Sequence, residues 1–110
     1  MTFDEYQKKA LTTAGNNYEP LMQRTIWAMG VAGEAGEVIE KWKKIVAYKD
    51  GKVSKDDLTE LSKELGDVIW YIAVLADSLG ISFSEIIELN VKKLEDRSNR
   101  KVIKGSGDNR

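Results

Sequence analysis

The sequence predicts an all-α protein, an antiparallel four-helix bundle that assembles into an oligomer. Three observations lead there. Apolar residues recur at helical spacing along nearly the whole chain, helix-capping patterns punctuate it at short intervals, and one stretch is apolar on every side.

The first helix is predicted from about Phe3 to Thr13. Thr2 caps it, Phe3, Tyr6, Ala10 and Leu11 form its apolar face, and Gly15 ends it. In "GNNYEP", Asn16 or Asn17 is placed to cap the second helix. Pro20, the only proline, suits a first turn, where its missing N–H would be unpaired anyway. This helix extends to about Tyr48, with Gly51 as the break. Gly30, Gly33 and Gly36 each weaken it by up to about 1 kcal/mol relative to Ala, so a bend is expected there. Ser54 with Asp57 reads as a capping box in which Asp replaces Glu; a third helix follows to Leu79, and Gly80 stops it. Ser82 with Glu85 is a second box, opening a fourth helix to about Arg97. Residues 98–110, "SNRKVIKGSGDNR", form a polar, Gly-rich tail of the kind that is often flexible. No repeat or linker divides the 110 residues, which read as one domain.

Short connections imply antiparallel neighbours. The third helix implies more. Leu61, Leu65, Val68, Ile72, Leu75, Ala76 and Leu79 share one face, yet Trp70 lies opposite, and Val68 to Ala76 is apolar all round. Such a helix must be covered all round. A chain this small has little to cover it with, so at least a dimer is expected, with Trp70 in the contact.

Composition removes several function classes. A net charge of −1 does not suit a nucleic-acid or anionic-membrane surface as the main activity. With neither Cys nor His, there is no disulfide frame, thiolate chemistry, His/Cys zinc site or His general base. "MTFDEYQKKA" is unlike a signal peptide, and no apolar run approaches the roughly 20 residues of a membrane span. A soluble, cytoplasmic protein is expected.

Carboxylates remain. "GEAGE" gives Glu34 and Glu37, and "KELGDV" gives Glu64 and Asp67. Residues three apart share a helix face, so each of two helices offers an acidic pair. If those helices pack antiparallel, four acids converge, and their repulsion calls for a neutralising ion. An all-oxygen donor set suits Mg²⁺ or Mn²⁺. Gly33, Gly36 and Gly66 would allow a helix or ligand to approach closely. The competing reading is that both pairs simply face water, as most helix-borne acids do.

"GEAGEVIEKWKK…ELGDVIWYIAVLA" resembles the all-α nucleoside triphosphate pyrophosphohydrolases, the MazG-like superfamily, whose signature is Glu-x-x-Glu on one helix and Glu-x-x-Asp on the next. The likeness extends from about Ala28 to Arg97 and includes "NVKKLEDR" in the fourth helix. It implies that Glu34, Glu37, Glu64 and Asp67 bind Mg²⁺ and that a nucleoside triphosphate is cleaved to monophosphate and pyrophosphate. It also implies nucleotide contacts at Asn90, Lys93 and Arg97. Some relatives carry a further Glu just before the first pair. Gly33 stands there in this chain, which leaves the general base to Glu34 or Glu37, with Glu40 as an outside candidate.

Around this set, Lys41 and Lys44 follow the acids; Lys44 is the preferred phosphate contact, against a solvated face for both. Trp27 and Trp70 are candidates to stack on the base, with the subunit contact the preferred reading for Trp70. The tail, with Arg110, either wraps a phosphate or is a disordered end. Two non-enzymatic alternatives are a catalytically silent nucleotide- or partner-binding relative and a structural helical oligomer.

Overall fold

The computed structural model describes residues 1–15 and 17–110, and every regular element among them is helical. The helices are α1 (Phe3–Leu11), α2 (Pro20–Lys49), α3 (Lys55–Ser78) and α4 (Phe83–Asn99).

Three of the four starts are the expected ones. Thr2, Ser54 and Ser82 each accept the N–H of the residue three ahead, and Glu5, Asp57 and Glu85 return the bond to the cap. The start of α2 differs. Asn16 lies outside the described residues, and Asn17 does not cap. Glu19 does, its carboxylate accepting from Met22 N–H at 2.6 Å and Leu21 N–H at 3.2 Å. A charged cap suits the positive end of a 30-residue helix. α1 ends at Leu11, two residues early, because Thr12 already caps it. α2 stays helical through all three glycines and ends where Asp50 and Gly51 both turn left-handed, at φ 53° and 77°.

α2 and α3 form one long antiparallel hairpin. Its register is marked by Arg24 Nε–H donating to Ser78 O at one end and by the 2.5 Å Lys49–Asp57 ion pair at the other. The helices pack tightly at Gly30, where an added Cβ would lie 2.2 Å from the Tyr71 ring. Gly33, Gly36 and Gly66 have open space instead, so the close approach expected of them is made by Gly30 within one copy.

α1 and α4 pack at one end of the hairpin, both against α3 and against each other. Ala10, Ala73, Val74 and Phe83 form the buried centre, ringed by Tyr6, Leu11, Trp27, Trp70 and Ile87. Two polar residues lock the assembly. The buried Gln7 amide donates to Ala73 O and Ile81 O and accepts from Phe83 N–H, at 3.0–3.1 Å. Asp4 accepts from Ser84 N–H and Oγ–H.

Trp70 is half-buried and has partners within the chain: its Nε1–H donates to Thr13 Oγ1, just past α1, at 2.9 Å, and it meets the Tyr71 ring edge-on. Leu65 and Leu79, expected on the core face of α3, are exposed. α4 reaches α1 and α3 and has no packing on α2. The radius of gyration is accordingly 16.9 Å, against about 13 Å for a compact chain of this length.

Candidate functional site

The register of the hairpin brings Glu34 of α2 opposite Glu64 and Asp67 of α3. One oxygen from each lies within 4.8 Å of the others. Glu34 and Glu64 are half-buried, and Asp67 is exposed. Burial, then the charges of Asp67, Glu64 and Glu37, and a hydrogen bond with Glu64 hold the Glu34 carboxyl above its ordinary value. Three oxygen-donor groups, mutually repelling and open to solvent on one side, fit a hard divalent cation such as Mg²⁺ or Mn²⁺.

The fourth acid is placed apart. Glu37 is exposed and lies outside the group of three, although its charge still acts on Glu34. A three-residue step leaves Glu37 about 60° around the helix from Glu34, on its solvent side. Glu40 points elsewhere again, paired with Lys43 at 2.9 Å and Lys44 at 3.7 Å. The Lys43 hydrogen bond and charge, with help from Lys44, lower its carboxyl, which makes it a weak proton acceptor.

The lysine beside the acids is Lys41. Its Nζ lies 3.5 Å from Glu64 Oε1 and 3.7 Å from Glu60 Oε2. Lys44 is exposed and pairs only with Glu40 among the described residues. Seven residues make nearly two turns, so Trp27, Glu34 and Lys41 share the face toward α3. Trp27 is half-buried, about 10 Å along the helix from Glu34 by the 1.5 Å rise per residue. With Tyr18, Gln23, Arg24 and Ser78 it lines a hollow of about 250 Å³.

Tyr6 was not singled out from sequence. Burial, and secondarily the charge of Asp67, raise its phenol above the ordinary value, which marks α1 as a wall of the acidic group. With Phe3, Ile69 and Phe83 it also lines an apolar hollow of about 560 Å³. No local pattern distinguishes Tyr6 from an ordinary core tyrosine.

The α4 residues stand together but apart from the acids. Asn90 and Lys93 line a shallow groove with Ile81, Ile86 and Leu89. Lys93 Nζ pairs with Asp108 at 3.0 Å. Arg97 is buried, and its Nη2 donates to Asp108 O at 2.6 Å, Asp108 Oδ1 at 3.3 Å and Gly107 O at 3.4 Å. Arg110 is engaged within the tail, donating to the carbonyls of Val102, Ile103 and Gly107.

Residues 24–102 match the MazG nucleotide pyrophosphohydrolase domain, a stretch that contains all four acids and the α4 residues. The chain is 41% identical over 114 residues to "Gene 37 protein" of Mycobacterium phage L5, covering the whole of both. It is 32% identical over 94 residues to "Uncharacterized protein YvdC" of Bacillus subtilis (strain 168), covering 84% of each. No solved structure matches.

Proposed function

Because the chain belongs to the MazG nucleotide pyrophosphohydrolase family, we propose that it is an Mg²⁺-dependent hydrolase cleaving a nucleoside or deoxynucleoside triphosphate to the monophosphate and pyrophosphate. Such an activity would clear or regulate a cytoplasmic nucleotide pool. The observation that carries this reading is the meeting of Glu34, Glu64 and Asp67 across α2 and α3.

In this reading the three acids hold Mg²⁺ (Mn²⁺ in its place), and Glu37 joins them by rotating about its own exposed side chain. The cation supplies charge neutralisation and polarises the phosphoryl oxygens. The residues of the chain do the rest. Trp27 receives the base in the hollow it lines two turns from Glu34. Lys41 and Lys44 lie on the triphosphate side, and Asn90, Lys93 and Arg97 contact the nucleotide from α4. Water attacks the α-phosphorus, the bond to the bridging oxygen breaks, and pyrophosphate leaves. A carboxylate takes the water's proton. Glu37 serves best, being the acid outside the group of three, while Glu34 is the alternative that would double as ligand and base.

Assembly belongs to the same proposal. Ile39, Trp42 and Val46 on α2 and Leu58, Leu65 and Ile69 on α3 are large, apolar and at least two-fifths exposed. Helix faces of this kind are covered by another surface in solution. A second copy of the chain supplies that cover and brings a second α4 to the open side of α2. No helix is long and apolar enough to cross a membrane among the described residues.

The test is release of pyrophosphate from a panel of NTPs and dNTPs, with Mg²⁺ and with chelator, for wild type, Glu64→Gln and Asp67→Asn. Metal-dependent release that both substitutions abolish is expected. Nucleotide binding without release would identify a silent relative, and neither binding nor release a purely structural oligomer.

A further inference from the structure

The C-terminal segment differs in charge from the rest of the molecule. Residues 92–110 hold seven Lys or Arg and three Asp or Glu; the preceding residues hold ten and fifteen. This basic end is folded rather than trailing. Val102 N–H donates to Arg97 O at 2.8 Å, past a left-handed Lys101 (φ 59°), and a second left-handed turn at Gly107 (φ 82°) returns the chain over α4. The turn sets the Asp108 carboxylate against Lys93 Nζ at 3.0 Å and Arg97 Nη2 at 3.3 Å.

The contact is unequal. Arg97 is 5% exposed, whereas the Asp108 side chain is 81% exposed. Arg97 Nε–H is buried with no hydrogen-bond partner among the described residues. A guanidinium presents its donors as a fork that matches two oxygens of one oxyanion. Nη2 meets the Asp108 carboxylate and also the Asp108 and Gly107 carbonyls, at 2.6 and 3.4 Å, yet Nε stays unmet, so the tail fills only part of the fork and an oxyanion presented to Nε and Nη2 together would fill all of it. Lys93 and Arg97, first by their hydrogen bonds, also draw the Asp108 carboxyl below its ordinary value, so it stands there charged.

We propose that Asp108 is an intramolecular stand-in for a substrate phosphate: it occupies Lys93 and Arg97 in the free protein and is displaced when the triphosphate arrives. The inference rests on the reading above that these two residues contact the nucleotide. Displacement requires no helix to unwind, because only residues beyond Lys101 must move. A triphosphate outcompetes a single carboxylate by charge, and Lys92, Arg100, Lys101 and Lys104 add to its attraction. A product carrying fewer charges competes less well, so the tail re-closes as product leaves.

The experiment is calorimetric titration of full-length protein with sodium tripolyphosphate at low salt, in wild type, Asp108→Asn, Lys93→Ala and the double variant. Circular dichroism checks that each is folded, which the exposure of both side chains leads us to expect. Asp108→Asn should bind about three- to tenfold more tightly, the range expected when one charge-assisted competitor is removed. Lys93→Ala should bind more weakly, and in its background Asp108→Asn should give little gain. If Asp108→Asn binds no tighter while Lys93→Ala binds more weakly, Asp108 is a structural staple and the stand-in is refuted. If Lys93→Ala binds as wild type does, the phosphate role of Lys93 fails, and the stand-in fails with it.

Discussion

Gly30 offers the sharpest test of the hairpin. A methyl group added there would lie 2.2, 2.3 and 2.6 Å from Cε1, Cδ1 and Cζ of Tyr71, where carbon atoms rest at about 3.5–4.0 Å. The ring would have to move by more than an ångström. Its freedom is reduced by Trp70, which meets it edge-on at 5.0 Å between centroids and is itself hydrogen-bonded to Thr13. Overpacking of this kind costs about 1–3 kcal/mol. Replacing Gly by Ala in a helix returns about 0.8–1 kcal/mol. Gly33→Ala collects that gain with no packed neighbour in its way among the described residues, so the two variants should differ by the whole overpacking cost. At about 4–8 °C per kcal/mol, Gly30→Ala should melt roughly 5–20 °C below Gly33→Ala, read by circular dichroism. Removing the ring should reverse the sign: in a Tyr71→Ala background Gly30→Ala should stabilise. Gly30 also sits one turn before Glu34, so the wedge should weaken metal binding. Gly30→Ala melting with or above Gly33→Ala would show that α2 and α3 do not meet at this point.

Three further outcomes are expected. Mg²⁺ and a non-hydrolysable nucleotide added together should raise the melting temperature by more than the sum of their separate shifts, since coupled ligands typically share about 1–3 kcal/mol; Glu34→Gln, Glu64→Gln and Asp67→Asn should each shrink that excess, and additive shifts in wild type would remove the acids from a common site. Asp57, hydrogen-bonded by Lys49 and by the Ser54 N–H, has its carboxyl lowered to about 2. Its stabilisation is therefore full above the ordinary Asp range and declines as pH falls through the folded value. Asp57→Asn should flatten the melting profile between about pH 5 and 2, and an unchanged profile would count against the pair. Ile39, 67% exposed on the outer face of α2, should tolerate Glu in the monomer and not in the assembly. Ile39→Glu should sediment as a smaller species than wild type, and a wild type already monomeric at high concentration would overturn the oligomer.

What was legible in the sequence was local. Three helix starts could be read because a capping box is complete within four residues. The α2 start could not, because Glu is an uncommon cap and works here by spreading two oxygens over two N–H groups. Glu34, Glu64 and Asp67 were legible because a three-residue spacing on two antiparallel helices leaves few ways to pack. Glu37 was separated from them by the helical phase that also chose Lys41 over Lys44. A seven-residue repeat, Trp27, Glu34 and Lys41, carried that phase in plain view. Gln7 and Asp4 had no signal at all: their partners lie 66 to 80 residues away. The bond from Trp70 to Thr13 had no signal for the same reason, since it spans 57 residues.

The locking of α1 by residues from the far half of the chain has a consequence during synthesis. The partners of Asp4, Gln7 and Ala10 lie at Ala73, Val74, Ile81, Phe83 and Ser84. α1 is therefore made well before the segments that seat it. At about 5–20 residues per second, roughly four to fifteen seconds separate its appearance from that of its seat. The α2–α3 hairpin has neighbours close in sequence and can pair in the interval. For that time Phe3, Tyr6 and Leu11 stay undocked beside a nascent hairpin whose own apolar faces are still open, so the stretch from Phe3 to Leu11 is a target that a chaperone would find exposed for seconds on the growing chain.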